Sequence, residues 1–195
     1  MMRLTQLAQQ RIGEVLPTGG FAIDATAGNG HDTLFLARRV GPGGGVVAID
    51  KQSVAIEKTR ERLASNSIEN VQLILGDHAD LKELIANAAE TGVDAVMFNL
   101  GYLPGGDETQ TTGTASSLQA IDAAIQVLKP HGLLSVVAYP GHPEGERETQ
   151  AVIELFQRWS EARKIVMERV DVERPSSHTP ILFLVSKQDS DPHSR

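Results

Sequence analysis

The sequence predicts an α/β fold: a mostly parallel, seven-stranded sheet with helices on both faces and an antiparallel hairpin strand at its C-terminal end. Three observations carry that expectation. From about residue 21 to about residue 161, short apolar runs alternate with segments of helical periodicity, which implies right-handed crossovers and a sheet covered on both sides. A tight turn through Gly28 and Gly30 joins the first apolar run to a helix. Finally, 164–172 and 180–187 are both strand-like with no helical segment between them, so they should pair as a hairpin.

Leu4, Leu7, Ala8, Ile12 and Val15 recur at helical spacing, and the Pro17–Gly20 break ends that helix. Residues 1–18 therefore read as a packing helix rather than part of a site. The apolar run that follows ends in Asp24. Helices are expected over about 31–40, 53–65, 80–91, 117–129 and 145–161, with strands over 46–50, 71–75, 93–98 and 133–139. The polar tail 188–195 should be frayed. The 195 residues make one domain with a substantial core.

The absence of cysteine excludes disulfides, a thiolate nucleophile and cysteine metal sites, and the six histidines show no paired metal-ligand spacing, so no metal is expected. The N-terminus lacks the apolar stretch of a signal peptide, and no apolar run reaches the roughly 20 residues of a membrane helix. A cytoplasmic protein without membrane contact is expected. The net charge of -7 argues against a general duplex-binding surface but not against a small RNA loop held by a local basic rim. Arg158, Arg163, Lys164, Arg169 and Arg174 gather in the C-terminal third, either as such a rim or as scattered solubilising charge.

The stretch FAIDATAGNGHDTLFLA carries the most chemical information. A glycine turn at a helix start lets a ligand approach bare backbone and presents free amide donors. The dinucleotide fingerprint calls for a third glycine where this chain has Thr33. Asp24 and Asp32 flank the turn, and two carboxylates there would repel a pyrophosphate but attract a cationic cofactor. S-adenosylmethionine has a sulfonium and an ammonium and no phosphate. The next strand ends in Asp50, placed to accept the ribose hydroxyls, with Lys51 and Gln52 beside it. Thr26, Gly28, Asn29, Gly30 and Thr33 complete this cofactor set.

In an open α/β sheet the ligand lies beyond the carboxyl ends of the strands, which directs attention to the residues after each one. Asp77, after the third strand, is a candidate acceptor for the adenine amino group or else a helix cap, and His78 adjoins it. After the fourth strand come Asn99, Leu100 and Tyr102, related to the Asn-Pro-Pro-Tyr loops of amino-methylating enzymes, with Leu100 and Gly101 replacing the prolines. An asparagine carbonyl there can accept hydrogen bonds from an amine and aim its lone pair at a methyl sulfonium. Asp107, in the Gly105–Gly106 loop, can be a base, a substrate anchor or a loop-stabilising acid. Tyr139 and His142 follow the fifth strand, where they can contact the acceptor or, for His142, serve the turn. Glu144, Glu146 and Glu148 suit a helix N-terminus.

Together, DATAGNGHDT, FNLGYLPGGD and YPGHPEGE resemble the bacterial rRNA methylase family. That family includes the tRNA methyltransferase converting 5-aminomethyl-2-thiouridine at the wobble position to its methylaminomethyl form. The resemblance spans nearly the whole chain and implies a class I methyltransferase fold, S-adenosylmethionine, a tRNA anticodon loop as substrate and a homodimer. It makes an RNA N-methyltransferase the leading expectation. An rRNA methyltransferase or a small-molecule N- or O-methyltransferase on the same fold are the alternatives.

Overall fold

The structure, a computed structural model, describes residues 3–86, 92–101, 113–172, 176 and 179–188. In chain order it contains α1 (Leu4–Val15), β1 (Phe21–Asp24), α2 (His31–Val40), β2 (Gly45–Asp50), α3 (Ser53–Ala64) and β3 (Val71–Leu75). A 3₁₀ turn (His78–Asp80), α4 (Leu81–Leu84), β4 (Val93–Leu100), α5 (Thr114–Val127), β5 (Leu128–Ala138), α6 (Pro143–Glu161), β6 (Ile165–Val170) and β7 (Ile181–Lys187) follow.

The strands form one sheet in the order β3-β2-β1-β4-β5-β7-β6. Strands β1 to β5 pair in parallel, whereas β7 runs antiparallel to both β5 and β6. The hairpin therefore forms as expected, and it inserts β7 beside β5 while leaving β6 at the edge. Strand order reverses between β1 and β4, which opens a crevice at their carboxyl ends.

The period of two along each strand divides the core into two layers. Ile23, Val47, Phe98, Leu134, Val136, Phe183 and Val185 face a layer built with Leu81, Ile85, α5 and α6. Their neighbours Ala22, Val46, Met97, Leu133, Val137, Leu182 and Leu184 face Ala8, Ile12 and Leu16 from α1 and its exit, and Leu36, Ala37 and Val40 of α2. Helix α1 docks on β5 and β7 next to α2.

The largest departures from the expected boundaries fall at three places. The helix expected over 80–91 is a 3₁₀ turn running into a one-turn α4; Ile85 follows as a cap with non-helical backbone, and residues 87–91 lie outside the described set. Helix α5 starts three residues early, at Thr114, and ends at Val127. Strand β5 begins at Leu128, which pairs with Val93, and the KPHG segment then bulges opposite Asp94 before pairing resumes at Ala95 and Leu133. There Lys129 Nζ bonds both Asp94 oxygens at 2.9 Å, His131 adopts φ 62°, and a side chain on Gly132 would sit 3.0 Å from the Asp94 carbonyl. Among the described residues no helix is long and apolar enough to cross a membrane, and no group of acidic or histidine side chains could hold a metal.

Candidate active site

The glycine turn takes its shape from two conformational demands. Gly28 has φ 53°, and Gly30, which caps α2, has φ 75°, a region that costs an L-residue energy. A side chain on Gly30 would also lie 2.9 Å from the Thr59 Cα, so the turn is pressed onto α3. Thr59 Oγ1 donates to the Gly28 carbonyl at 3.2 Å, and Arg62 Nε donates to the Asn29 carbonyl at 2.6 Å. Neither Thr59 nor Arg62 carries a sequence signal for this task, because both sit within an ordinary amphipathic helix.

Beneath the turn, Asp24 is fully buried. Its Oδ2 accepts from Thr33 Oγ1 at 2.6 Å and its Oδ1 from the Thr26 amide at 3.2 Å. The structure therefore places Asp24 and the equally buried Thr33 below the loop, not on its open face. Burial, and then the neighbouring carboxylates of Asp32 and Asp50, push the Asp24 carboxyl up to about 7, against the opposing pull of its bonds to Thr33 and Thr26. Asp32 and Asp50 thus bring two further acidic groups to the same turn.

Asp50 closes the turn from the end of β2. Its Oδ2 accepts the Gly28 amide and its Oδ1 the Gln52 amide, each at 2.9 Å. Each oxygen keeps a second lone pair for a ligand hydroxyl. Asp77, after β3, caps the 3₁₀ turn by accepting from the Ala79 amide at 2.9 Å, and it remains part-exposed. His78 is buried edge-on against Phe98, ring centroids 5.9 Å apart, with its pKa lowered chiefly by burial. Lys51 is exposed on the rim.

Across the crevice at the end of β4, the Asn99 amide donates to Thr26 Oγ1 at 2.7 Å, tying β4 to the turn. Asn99 Nδ2 donates to Asp32 Oδ2, and Gln9 Nε2 donates to Asp32 Oδ1 at 2.6 Å. The Asn99 side-chain amide is thereby oriented: its nitrogen faces Asp32, and its Oδ1 is a buried acceptor with no partner among the described residues. A buried polar atom of that kind calls for an explanation, and a hydrogen-bond-donating ligand supplies one. Gln9 lies outside the set read from sequence, since its polar neighbours on α1 do not distinguish it.

The remaining expectations separate. Leu100 is fully buried behind Asn99. Tyr102 and Asp107 lie outside the described residues. Tyr139 is 36% exposed, its ring alongside Gly101, where a built side chain would stand 3.4 Å away. His142 caps α6, its Nδ1 accepting the Gly145 amide at 3.0 Å, and its Nε2 is buried with no partner among the described residues. Gly145 cannot bear a side chain, which would meet the Tyr139 carbonyl at 2.1 Å. Glu144 and Glu146 stand in the first turn of α6 as expected, but Glu148 is buried and accepts from Ser117 Oγ at 2.6 Å.

Residues 46–186 match the family model described as putative rRNA methylase, which is well over half of the chain. The chain belongs to this family. Residues 4–81 also match the protein-L-isoaspartate O-methyltransferase model, across the strands that form the turn. The structure superposes on that of an rRNA methylase family protein from Clostridium thermocellum with a TM-score of 0.90 and 33% identity, covering 96% of this chain and 98% of that one. It also superposes on a Streptococcus mutans methyltransferase-like protein solved in complex with SAH, with a TM-score of 0.81, 32% identity and 96% and 99% coverage. A chloroplastic tRNA (mnm(5)s(2)U34)-methyltransferase from Arabidopsis thaliana is 40% identical over 163 residues, 79% of this chain and 58% of that protein. The chain spans about half the length of the curated relatives it matches.

Proposed function

We propose that this protein is an S-adenosylmethionine-dependent RNA N-methyltransferase acting on the aminomethyl group of a 5-aminomethyl-(2-thio)uridine at the tRNA wobble position. The observation that carries the reading is the oriented Asn99 amide, with its Oδ1 buried and unpartnered at the crevice. An alkyl amine has the N–H donor this acceptor requires. The likeness to the Arabidopsis tRNA methyltransferase supports the choice of substrate, and the SAH-bound relative supports the cofactor.

The residues present suit that cofactor. A bare-backbone turn and the free lone pairs of Asp50 fit a ribose and amino-acid ligand, while the carboxylates around Asp24 suit a cation and oppose a pyrophosphate. Asp50 would hold the ribose, Asp77 and His78 would border the base, and Thr26, Gly28, Asn29, Gly30, Gln52 and Leu100 would form the bed, while Asp32 orients the Asn99 amide. Asp24 and Thr33 act from beneath it, as anchors of the turn. S-adenosylmethionine supplies an electrophilic methyl group on a cationic sulfur.

Asn99 Oδ1 accepts one amine N–H and so sets the direction of the nitrogen lone pair. A protonated amine has no lone pair to give, and a free one has a pKa near about 10.4, so desolvation in the crevice must favour the neutral form. The nitrogen so oriented would receive the methyl group that the bound cofactor would supply, and the product ammonium would lose its proton to water. Tyr102, Tyr139 and His142 are proposed substrate contacts, and Asp107 a catalytic-loop acid. We also propose that the enzyme works as a cytoplasmic homodimer, on the strength of the family resemblance.

The test is transfer of labelled methyl from S-adenosylmethionine to tRNA from a strain lacking the gene, followed by nucleoside mass spectrometry. A new methylaminomethyl-uridine species is expected. Label confined to rRNA would instead establish the second reading, which the family description favours.

A further inference from the structure

We infer that the groove crossing α2, from its flank against α1 to its flank against α3, is the docking surface for the sugar-phosphate backbone of the RNA, an inference that rests on the RNA reading above. Two open depressions, of about 380 and 460 Å³, meet at His31. Between them they are lined by four permanent cations, Arg38, Arg39, Lys58 and Arg62, against one carboxylate, Glu61.

What sets these cations apart is that they are clustered and lack carboxylate partners, whereas several cations elsewhere are held by acids. Among the described residues, none of the four forms an ion pair with a carboxylate: Arg38 donates to Asn66 Oδ1 at 2.5 Å and Arg62 to the Asn29 carbonyl. By contrast, Arg11 is paired with Glu168, Lys129 with Asp94 and Arg169 with Asp171, while Lys164 lies 5.2 Å from the centre of the Trp159 ring. In a chain of net charge -7, four clustered cations without carboxylate partners form a local positive field. Guanidinium groups match phosphate oxygens in geometry as well as charge.

The groove also leads to the site. Gln9 lines it and donates to Asp32, which accepts from Asn99. A backbone bound along α2 would thus deliver a base to the crevice within two hydrogen bonds of the groove wall. Neither depression takes a lining residue from β4 or β5, so this surface is distinct from the acceptor pocket.

The experiment compares tRNA binding by the full chain and by an Arg38→Gln/Arg39→Gln variant across a salt series. An Arg158→Gln/Arg163→Gln variant serves as a control of equal charge change on exposed residues at and just beyond the end of α6. Each lost phosphate contact lowers the slope of log affinity against log salt by about 0.7–0.9. The α2 variant is therefore expected to lose about 1.4–1.8 from the slope and at least tenfold in affinity at low salt, with SAH affinity and melting temperature unchanged, while the control keeps both slope and affinity. Wild-type binding with an unaltered α2 variant, or an equal loss in the control, overturns this inference and leaves the RNA reading standing. No tRNA binding by the wild type overturns both.

Discussion

Replacing Asp32 by asparagine separates two roles that the sequence alone cannot distinguish. Beside the glycine turn Asp32 reads as a cofactor contact, but in the structure it is 7% exposed and accepts from Gln9 Nε2 and Asn99 Nδ2. Asparagine offers one acceptor where the carboxylate offers two, so its NH₂ must confront an NH₂ of either Gln9 or Asn99. Relief comes by turning one of those amides. If Asn99 turns, its Oδ1 leaves the crevice and the amine loses its acceptor. Hydrogen bonds to a charged group contribute about 1.5–3 kcal/mol, and each 1.36 kcal/mol is tenfold in rate, so kcat should fall about 10- to 100-fold. Single-turnover methyl transfer measures that fall, and calorimetry with SAH should show an affinity within about twofold of wild type, the margin expected where no ligand contact is lost. Because Asp32 acts through Asn99, the Asp32→Asn/Asn99→Ala double variant should be no slower than Asn99→Ala. Additive losses, or weakened SAH binding with kcat intact, would refute the positioning role and restore Asp32 to the cofactor bed.

Asp50→Ala removes the acceptor for two backbone amides and the proposed ribose contact, so SAH affinity should drop at least tenfold; unchanged calorimetry would take Asp50 out of the site. Asp24 titrates near 7 when folded and near 3.8 when unfolded, so the folded protein holds a proton the unfolded chain has released between those values. Stability without ligand should therefore fall as pH rises from about 4 to about 7 and level off above, by at most roughly 4 kcal/mol from this group. Asp24→Asn should flatten that dependence in urea titrations, and an unchanged pH profile would argue against a protonated Asp24. Gly30→Ala combines a φ of 75° with a Cβ 2.9 Å from Thr59 Cα, and a loss of roughly 2–4 kcal/mol is expected from the urea midpoint. A loss under about 0.5 kcal/mol, the range of neutral surface changes, would mean the turn is not pressed onto α3 as described.

The architecture was legible because it depends on local periodicity. Apolar alternation marked the strands, and the lack of a helix between the last two implied the hairpin. The boundaries that failed are those set by tertiary packing. The start of β5 is drawn to Leu128 by the Lys129–Asp94 pair and the close approach of Gly132 to β4. Helix α4 stops after Leu84 although the sequence pattern continues. Likewise Glu148 reads as one of three acids at a helix start, and only its burial against Ser117 distinguishes it.

The glycine turn was legible for a related reason. Gly28, Gly30, Asp24 and Asp50 lie within one β-α-β unit, where spacing along the chain translates directly into position in space. By itself, the sequence determined the sheet, the glycine turn, the acidic character of the crevice and the family. Only the tertiary structure decided which side chains share a hydrogen bond: Gln9 from α1, Asp32 from α2 and Asn99 from β4 are brought together by packing between distant segments. It also gathered Arg38, Arg39, Lys58 and Arg62 from two helices onto one groove. Side-chain contacts of this kind depend on how elements dock, and no local pattern in the chain encodes that docking.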